Sequence, residues 1–210
     1  MCNLYNLKVD RLDFDAFARA AADPADRMAV EKDYAAPGKP GHVIREVDGQ
    51  RVLSSMIWGF PGDKRPRKTA AKPGQSPWIW DKYYTNARNL RLGLWKPWVS
   101  SPAHRCLVPF TSFAEPKDRA LRTAPGDLNW WFSVPDQPIA CFAGIWKHDP
   151  DHGPVYAFLT CDPNPLVAPL HPKAMPVILL AEDHDRWLRG SADEALAMQA
   201  PFPSQLMGVV

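Results

Sequence analysis

Residues 42–60, HVIREVDGQRVLSSMIWGF, carry the clearest structural signal in the chain. Two apolar, β-branched-rich runs flank Asp48-Gly49, a dipeptide that supplies the positive φ angles of a tight hairpin turn. The stretch predicts two antiparallel strands. Outward from it, short apolar runs bounded by turn residues recur at 105–113, 130–134, 139–146, 155–161 and 175–180, and each reads as a strand. Twenty-three prolines and nine tryptophans favour short strands and loops anchored by large rings over long helices.

Three short helices complete the reading. Phe14, Phe17, Ala18 and Ala21 share one face behind Asp13, which predicts a helix from Asp13 to Ala21. Ser191 and Glu194 have the spacing of a capping box for a helix through Ala200, and Asp183 to Leu188 reads as a further turn or two. The fold class is therefore α+β: a strongly curved, mostly antiparallel sheet or barrel-like core flanked by short helices. With 210 residues and 46% hydrophobic composition, one domain spanning 1–210 is expected.

Charge and cysteine usage narrow the function classes. A formal net charge of +2 is too small for whole-molecule attraction to nucleic acid, so any such attraction must be local. The Pro-rich loop at 61–77, PGDKRPRKTAAKPGQSP, sets Lys64, Arg65, Arg67, Lys68 and Lys72 against Asp63 alone, with Trp78 and Trp80 behind it as possible stacking faces. No apolar run approaches the roughly 20 residues of a membrane helix, and the start has no signal-peptide pattern, so a cytoplasmic protein without membrane contact is expected. Cys2, Cys106, Cys141 and Cys161 form no C-x-x-C pair and read as reduced thiols. The histidines at 42, 104, 148, 152, 171 and 184 lack ligand spacing, and neither a metal nor an organic cofactor is expected.

Position 2 carries the chemistry. Initiator methionine is normally trimmed before a side chain as small as cysteine, leaving an α-amine and a thiol on one carbon framework. An α-amine with a pKa of about 7.7–8.0 is partly unprotonated at neutral pH and attacks aldehydes to give a Schiff base. The thiol then closes a five-membered thiazolidine, which hydrolyses far less readily than the open imine. Taken alone, Cys2 reads first as an incidental cysteine.

Further motifs follow in order: MCNLY at 1–5, YAAPG at 34–38, WGF at 58–60, TNAR at 85–88, RCLVPFTSFAE at 105–115, AGIW at 143–146, and Thr160 followed by HPKAMPV at 171–177. Together they resemble the SOS-response-associated peptidase family, which includes proteins that process abasic sites. The resemblance implies that Cys2 bonds covalently to an abasic site in single-stranded DNA, forming a thiazolidine crosslink that protects the lesion during repair. It implies that Asn86 sits beside Cys2, and that Glu115 and His171 move protons during ring opening, imine formation and reversal. Pro37, Arg88, Thr160 and Lys173 take the positions that contact DNA. A monomer that joins the nucleoid when bound to DNA is the accompanying expectation. Many relatives begin MCGR where this chain has Asn3 and Leu4, and many carry a glutamate where it has Leu90. Two other readings stay open: a thiol peptidase that releases its own N-terminus through Cys2, and a non-catalytic single-strand binder using the basic loop and its tryptophans.

Overall fold

The computed structural model describes residues 2–23, 26, 29–30, 32–62, 64–66, 73, 78–80 and 82–210, with the backbone alone at 11–12, 21, 64–66 and 78–80. In chain order the principal elements are β1 (Leu4–Asn6), α1 (Arg11–Ala18), β2 (Pro40–Val47), β3 (Gln50–Trp58), α2 (Lys96–Val99), β4 (Arg105–Phe110), β5 (Ser112–Pro116), β6 (Asn129–Ser133), β7 (Ala140–Asp149), β8 (Gly153–Cys161), α3 (His184–Arg189) and α4 (Ala192–Ala197). Shorter strand pairs join them.

β2 and β3 are the predicted hairpin, with Val47 opposite Gln50. Asp48 and Gly49 take φ of 50° and 78°, the combination of a type I′ turn. β2 pairs with β4, β4 with β7 and β7 with β8, all antiparallel. β8 then returns to β3 in parallel, Val155 opposite Ile57 and Tyr156 opposite Trp58. The result is a closed five-stranded barrel with one parallel seam, which leaves none of the five strands as a bare edge along its whole length. The α+β, barrel-like expectation is borne out.

Aromatic rings make the centre of the core. Phe110 stacks on Phe142 at 3.9 Å, and Phe142 packs on Phe158 at 4.5 Å. Tyr5 enters from β1 and meets Trp58 edge-on at 5.1 Å, and its hydroxyl hydrogen-bonds that of Tyr156. The pair leaves room only for a glycine at position 41: a Cβ there would stand 2.2 Å from Tyr156 Oη. β1 is thereby tied to the barrel three residues after Cys2.

A second sheet holds the N-terminus. β1 lies between Tyr34–Ala35 and β5, β5 pairs with β6, and β6 pairs with Gly208–Val209. The run 105–113, read as one strand, is divided at Thr111: β4 belongs to the barrel and β5 to this second sheet. Thr111 N donates to Asn6 O at 2.8 Å at the crossing point. A two-residue C-terminal strand was not expected at all.

The helices differ from their predicted bounds for local reasons. Asp10, not Asp13, caps α1, accepting from Asp13 N at 2.9 Å. The helix ends at Arg19, which turns left-handed, because Ala21–Ala22 pairs with Val52–Leu53 instead of extending it. The Ser191–Glu194 capping box is present in full, and α4 stops at Ala197. Arg105, wholly buried, donates to the carbonyls of Trp187 and Gly190 at 2.7 and 2.6 Å, a cation at the C-terminal end of α3.

In the basic segment the backbone of Lys64–Pro66 pairs with that of Trp78–Trp80 just beyond it. The side chains of Lys64, Arg65, Trp78 and Trp80, and all of Arg67, Lys68 and Lys72, lie outside the described residues. So does Met1. The four cysteines are free thiols, all buried. No helix among the described residues is long and apolar enough to cross a membrane.

Candidate functional site

The antiparallel register of β1 on β5, Leu4 opposite Ala114, carries the start of the chain to Glu115. Glu115 has no exposed surface. Burial pushes its carboxyl up to about 7, against the pull of the positive amino terminus and of the Cys2 backbone N–H. A carboxyl with a midpoint near neutrality both gives and takes protons under working conditions.

His171 stands behind it, with Nδ1 at 3.5 Å from Glu115 Oε2. The same nitrogen is 2.9 Å from Ala174 O. Donation to that carbonyl fixes the proton on Nδ1 and leaves the lone pair on Nε2. Burial, the amino terminus and Lys173 hold the imidazole below its ordinary pKa, so it is neutral at pH 7.

Asn86 approaches from the other side, where Asn86–Ala87 runs parallel to β8. Its Nδ2 donates to Cys2 O at 3.0 Å and to Thr85 Oγ1 at 2.7 Å. The structure thus brings Cys2, Asn86, Glu115 and His171 into one contiguous group. Cys2 itself is 0% exposed in the chain that begins with Met1, and its Sγ lies 3.5 Å from Leu4 O. Burial first, and then the Glu115 charge, raises the thiol well above its usual pKa. The thiol is thus a sealed, neutral one.

The expected DNA-contact residues divide into two pairs. Asn86 lies opposite Phe158 and Ala87 opposite Leu159, a register that sets Arg88 beside Thr160. Arg88 is ion-paired with Asp162, whose side chain is 84% exposed. Thr160 is buried, and its Oγ1, together with Asn86 Oδ1 and Arg88 Nη1, has no hydrogen-bond partner among the described residues. Pro37 is exposed in a turn closed by Lys39 N to Ala36 O at 3.0 Å, and Lys173 is exposed two residues after His171.

Several contributors escaped sequence reasoning. Gln199 Nε2 bridges Arg88 O and Thr160 O at 2.7 and 2.8 Å, locking the end of α4 onto both. It lies beyond the last recognised motif, and no local pattern marks it. Asp162 follows β8 directly, yet only the strand register reveals that it faces Arg88. Among the described residues no three His, Cys, Asp or Glu side chains gather as metal ligands do.

The family model of SOS response associated peptidase (SRAP) matches residues 1–210, the whole chain. The chain belongs to this family.

The SRAP fold recurs in solved structures. A Bordetella bronchiseptica protein is 21% identical with a TM-score of 0.72, covering 100% of this chain and 99% of that one. A Bacteroides thetaiotaomicron protein is 18% identical with a TM-score of 0.72, covering 100% and 92%. A phage-related protein from B. bronchiseptica is 19% identical with a TM-score of 0.66, covering 100% and 93%. At these identities the likeness speaks for the fold alone. No curated protein matches the chain. SRAP membership supports an SOS-associated, peptidase-like function related to DNA.

Proposed function

We propose that the chain, once Met1 is removed, captures the aldehyde of an abasic site in single-stranded DNA through the α-amine and thiol of Cys2. The observation that carries this reading is the grouping at the chain's start: a buried carboxyl with a midpoint near 7, directed at the Cys2 backbone nitrogen and backed by a neutral imidazole at 3.5 Å. That nitrogen is the one that becomes the free α-amine.

The residues divide the steps between them. Glu115 exchanges protons with the sugar as the hemiacetal opens: the C1′ hydroxyl loses its proton, O4′ gains one, and the aldehyde is released. The unprotonated amine adds to C1′, and the resulting carbinolamine takes a proton from the Glu115 carboxyl and loses water, leaving the protonated imine and the carboxylate. The thiol then adds across the C=N bond, its proton leaving to Glu115 or His171 and the ring nitrogen keeping one hydrogen. Asn86 holds the Cys2 carbonyl and with it the amine's direction of approach.

The high thiol pKa favours this order over a thiol peptidase, because a thiolate attack would begin from a buried, protonated sulfur. Arg88 Nη1 and Thr160 Oγ1 offer two donors without acceptors among the described residues, which suits one phosphate oxygen. Asn86 Oδ1 offers an acceptor for a sugar hydroxyl.

The test mixes untagged protein with a single-stranded oligonucleotide holding one abasic site, followed by a denaturing gel. A heat-resistant shifted band is expected from the native chain and not from Cys2→Ala, nor from protein with an uncleaved N-terminal tag. A band that survives either change sinks the aminothiol mechanism. No band from the native chain returns the peptidase or plain binder to first place.

A further inference from the structure

Away from the Cys2 group, a recess of about 270 Å³ opens between the segment leading into α2, α2 itself and α4. Leu90, Val99 and Leu196 form its apolar floor and wall, Ser100 contributes its edge, and Arg91 and Lys96 stand at its rim. Its volume falls below the about 300–1,000 Å³ of drug-sized ligand sites, and it suits one large apolar side chain. Leu92, 51% exposed, extends the apolar surface.

Among the described residues no acid answers the rim charges. Neither Arg91 nor Lys96 makes an ion pair among the described residues, whereas Arg45, Arg51, Arg88 and Arg189 each face an aspartate or glutamate. The acids of α4 lie in its first turn, and there Glu194 is already engaged by Ser191 and Arg186. A cationic rim around an apolar hole calls for the opposite pattern in what fills it. None of the six lining residues is aromatic, so the recess offers no ring for a nucleic-acid base to stack on.

We infer that this recess docks an acidic, flexible segment of another protein that inserts one apolar side chain between Leu90, Val99 and Leu196. The acidic residues meet Arg91 and Lys96, steering the segment in, and the buried side chain supplies the anchor. Because Gln199 at the end of α4 holds the backbone of Arg88, a partner bound here sits next to the Arg88–Thr160 pair without occupying it.

The experiment uses the full chain and a fluorescein-labelled peptide of six aspartates followed by Gly-Leu-Phe, read by anisotropy at low and physiological salt. Binding is expected, and Arg91→Glu with Lys96→Glu, or Leu196→Asp alone, should each weaken it about tenfold or more. These three side chains are exposed, so unchanged melting curves separate loss of binding from loss of fold. A peptide in which Leu-Phe is replaced by Ser-Ser should bind at least about tenfold more weakly. Equal binding of the Ser-Ser peptide, no binding of the Leu-Phe peptide, or indifference to the variants overturns the proposal. An unmodified single-stranded oligonucleotide that displaces the peptide, and whose own affinity drops with Leu196→Asp, would instead make the recess a nucleic-acid contact. Cys2→Ala leaves peptide binding unchanged, so this result stands or falls apart from the crosslinking reading.

Discussion

His171 Nδ1 lies 3.5 Å from Glu115 Oε2 while pointing its proton at Ala174 O, 2.9 Å away. The imidazole is therefore oriented by a backbone carbonyl and not by the carboxylate, and Glu115 keeps its own proton chemistry. Burial raises the acid to about 7 and lowers the base, reversing their ordinary order.

Glu115→Gln should slow crosslinking about 10²–10⁴-fold, the usual worth of a positioned proton-transfer group. In single-turnover gels over pH 5–9, the native chain should show an inflection near 7 that the variant lacks. An unchanged profile in Glu115→Gln would remove the residue from the mechanism.

Stability against pH should show two opposing contributions. Glu115 titrates at about 7 in the folded chain, above its ordinary 4.5. Its proton is held more tightly in the folded state, so the stability it contributes is intact below 4.5 and declines as pH rises to 7, by an order of 3 kcal/mol. His184 behaves in reverse: burial, then Arg51, lowers it to about 4, so stability is intact above 6.5 and declines as pH falls toward 4. His171 is shifted the same way. The native melting temperature should thus change little between pH 4.5 and 6.5. Glu115→Gln should expose a fall on acidification and raise the melting temperature at pH 8, whereas His184→Phe should expose a fall on the alkaline side. Parallel curves for all three proteins would contradict both assignments.

Arg88 and Asp162 form a surface pair, and pairs of this kind contribute about 0–1 kcal/mol. On the proposed reading, a DNA phosphate displaces the carboxylate at little cost. Asp162→Asn should tighten binding of an undamaged single strand a few-fold, about 2–5, by removing a competing anion. Arg88→Ala should weaken it and reduce the salt slope by about 0.7. Titrations at several salt concentrations read both; a slope unaffected by Arg88→Ala excludes it from phosphate contact.

Gly41→Ala should destabilise the fold by about 1–3 kcal/mol, since its Cβ meets Tyr156 Oη at 2.2 Å and Tyr5 Oη at 2.7 Å. Because that pair ties β1 to the barrel, crosslinking should fall more steeply with temperature in the variant. Chemical denaturation alongside the gel assay measures the two together.

The sequence was most informative where local chemistry dictates local shape. Asp48-Gly49 fixed a hairpin and its register, and the Ser191–Glu194 spacing fixed a helix start. It was silent where distant segments decide. Nothing near Tyr156 foretells a parallel seam with Trp58, and nothing near Gly208 foretells pairing with Ser133. The run 105–113 looks uniform because both halves are buried, although they serve different sheets. For the site, ordered motifs named Cys2, Asn86, Glu115 and His171, and the structure groups them; Gln199 and Asp162 act through geometry that only the folded chain has.

The parallel seam also sets a timetable. Residues 57–58 cannot meet 155–156 until about a hundred further residues have been synthesised, and the site needs residue 171 as well. Cys2 therefore gains its acid, its base and its enclosure only after residue 171 has been made. A nascent chain shorter than this carries its cysteine as an ordinary thiol, without the enclosure that folding builds around it.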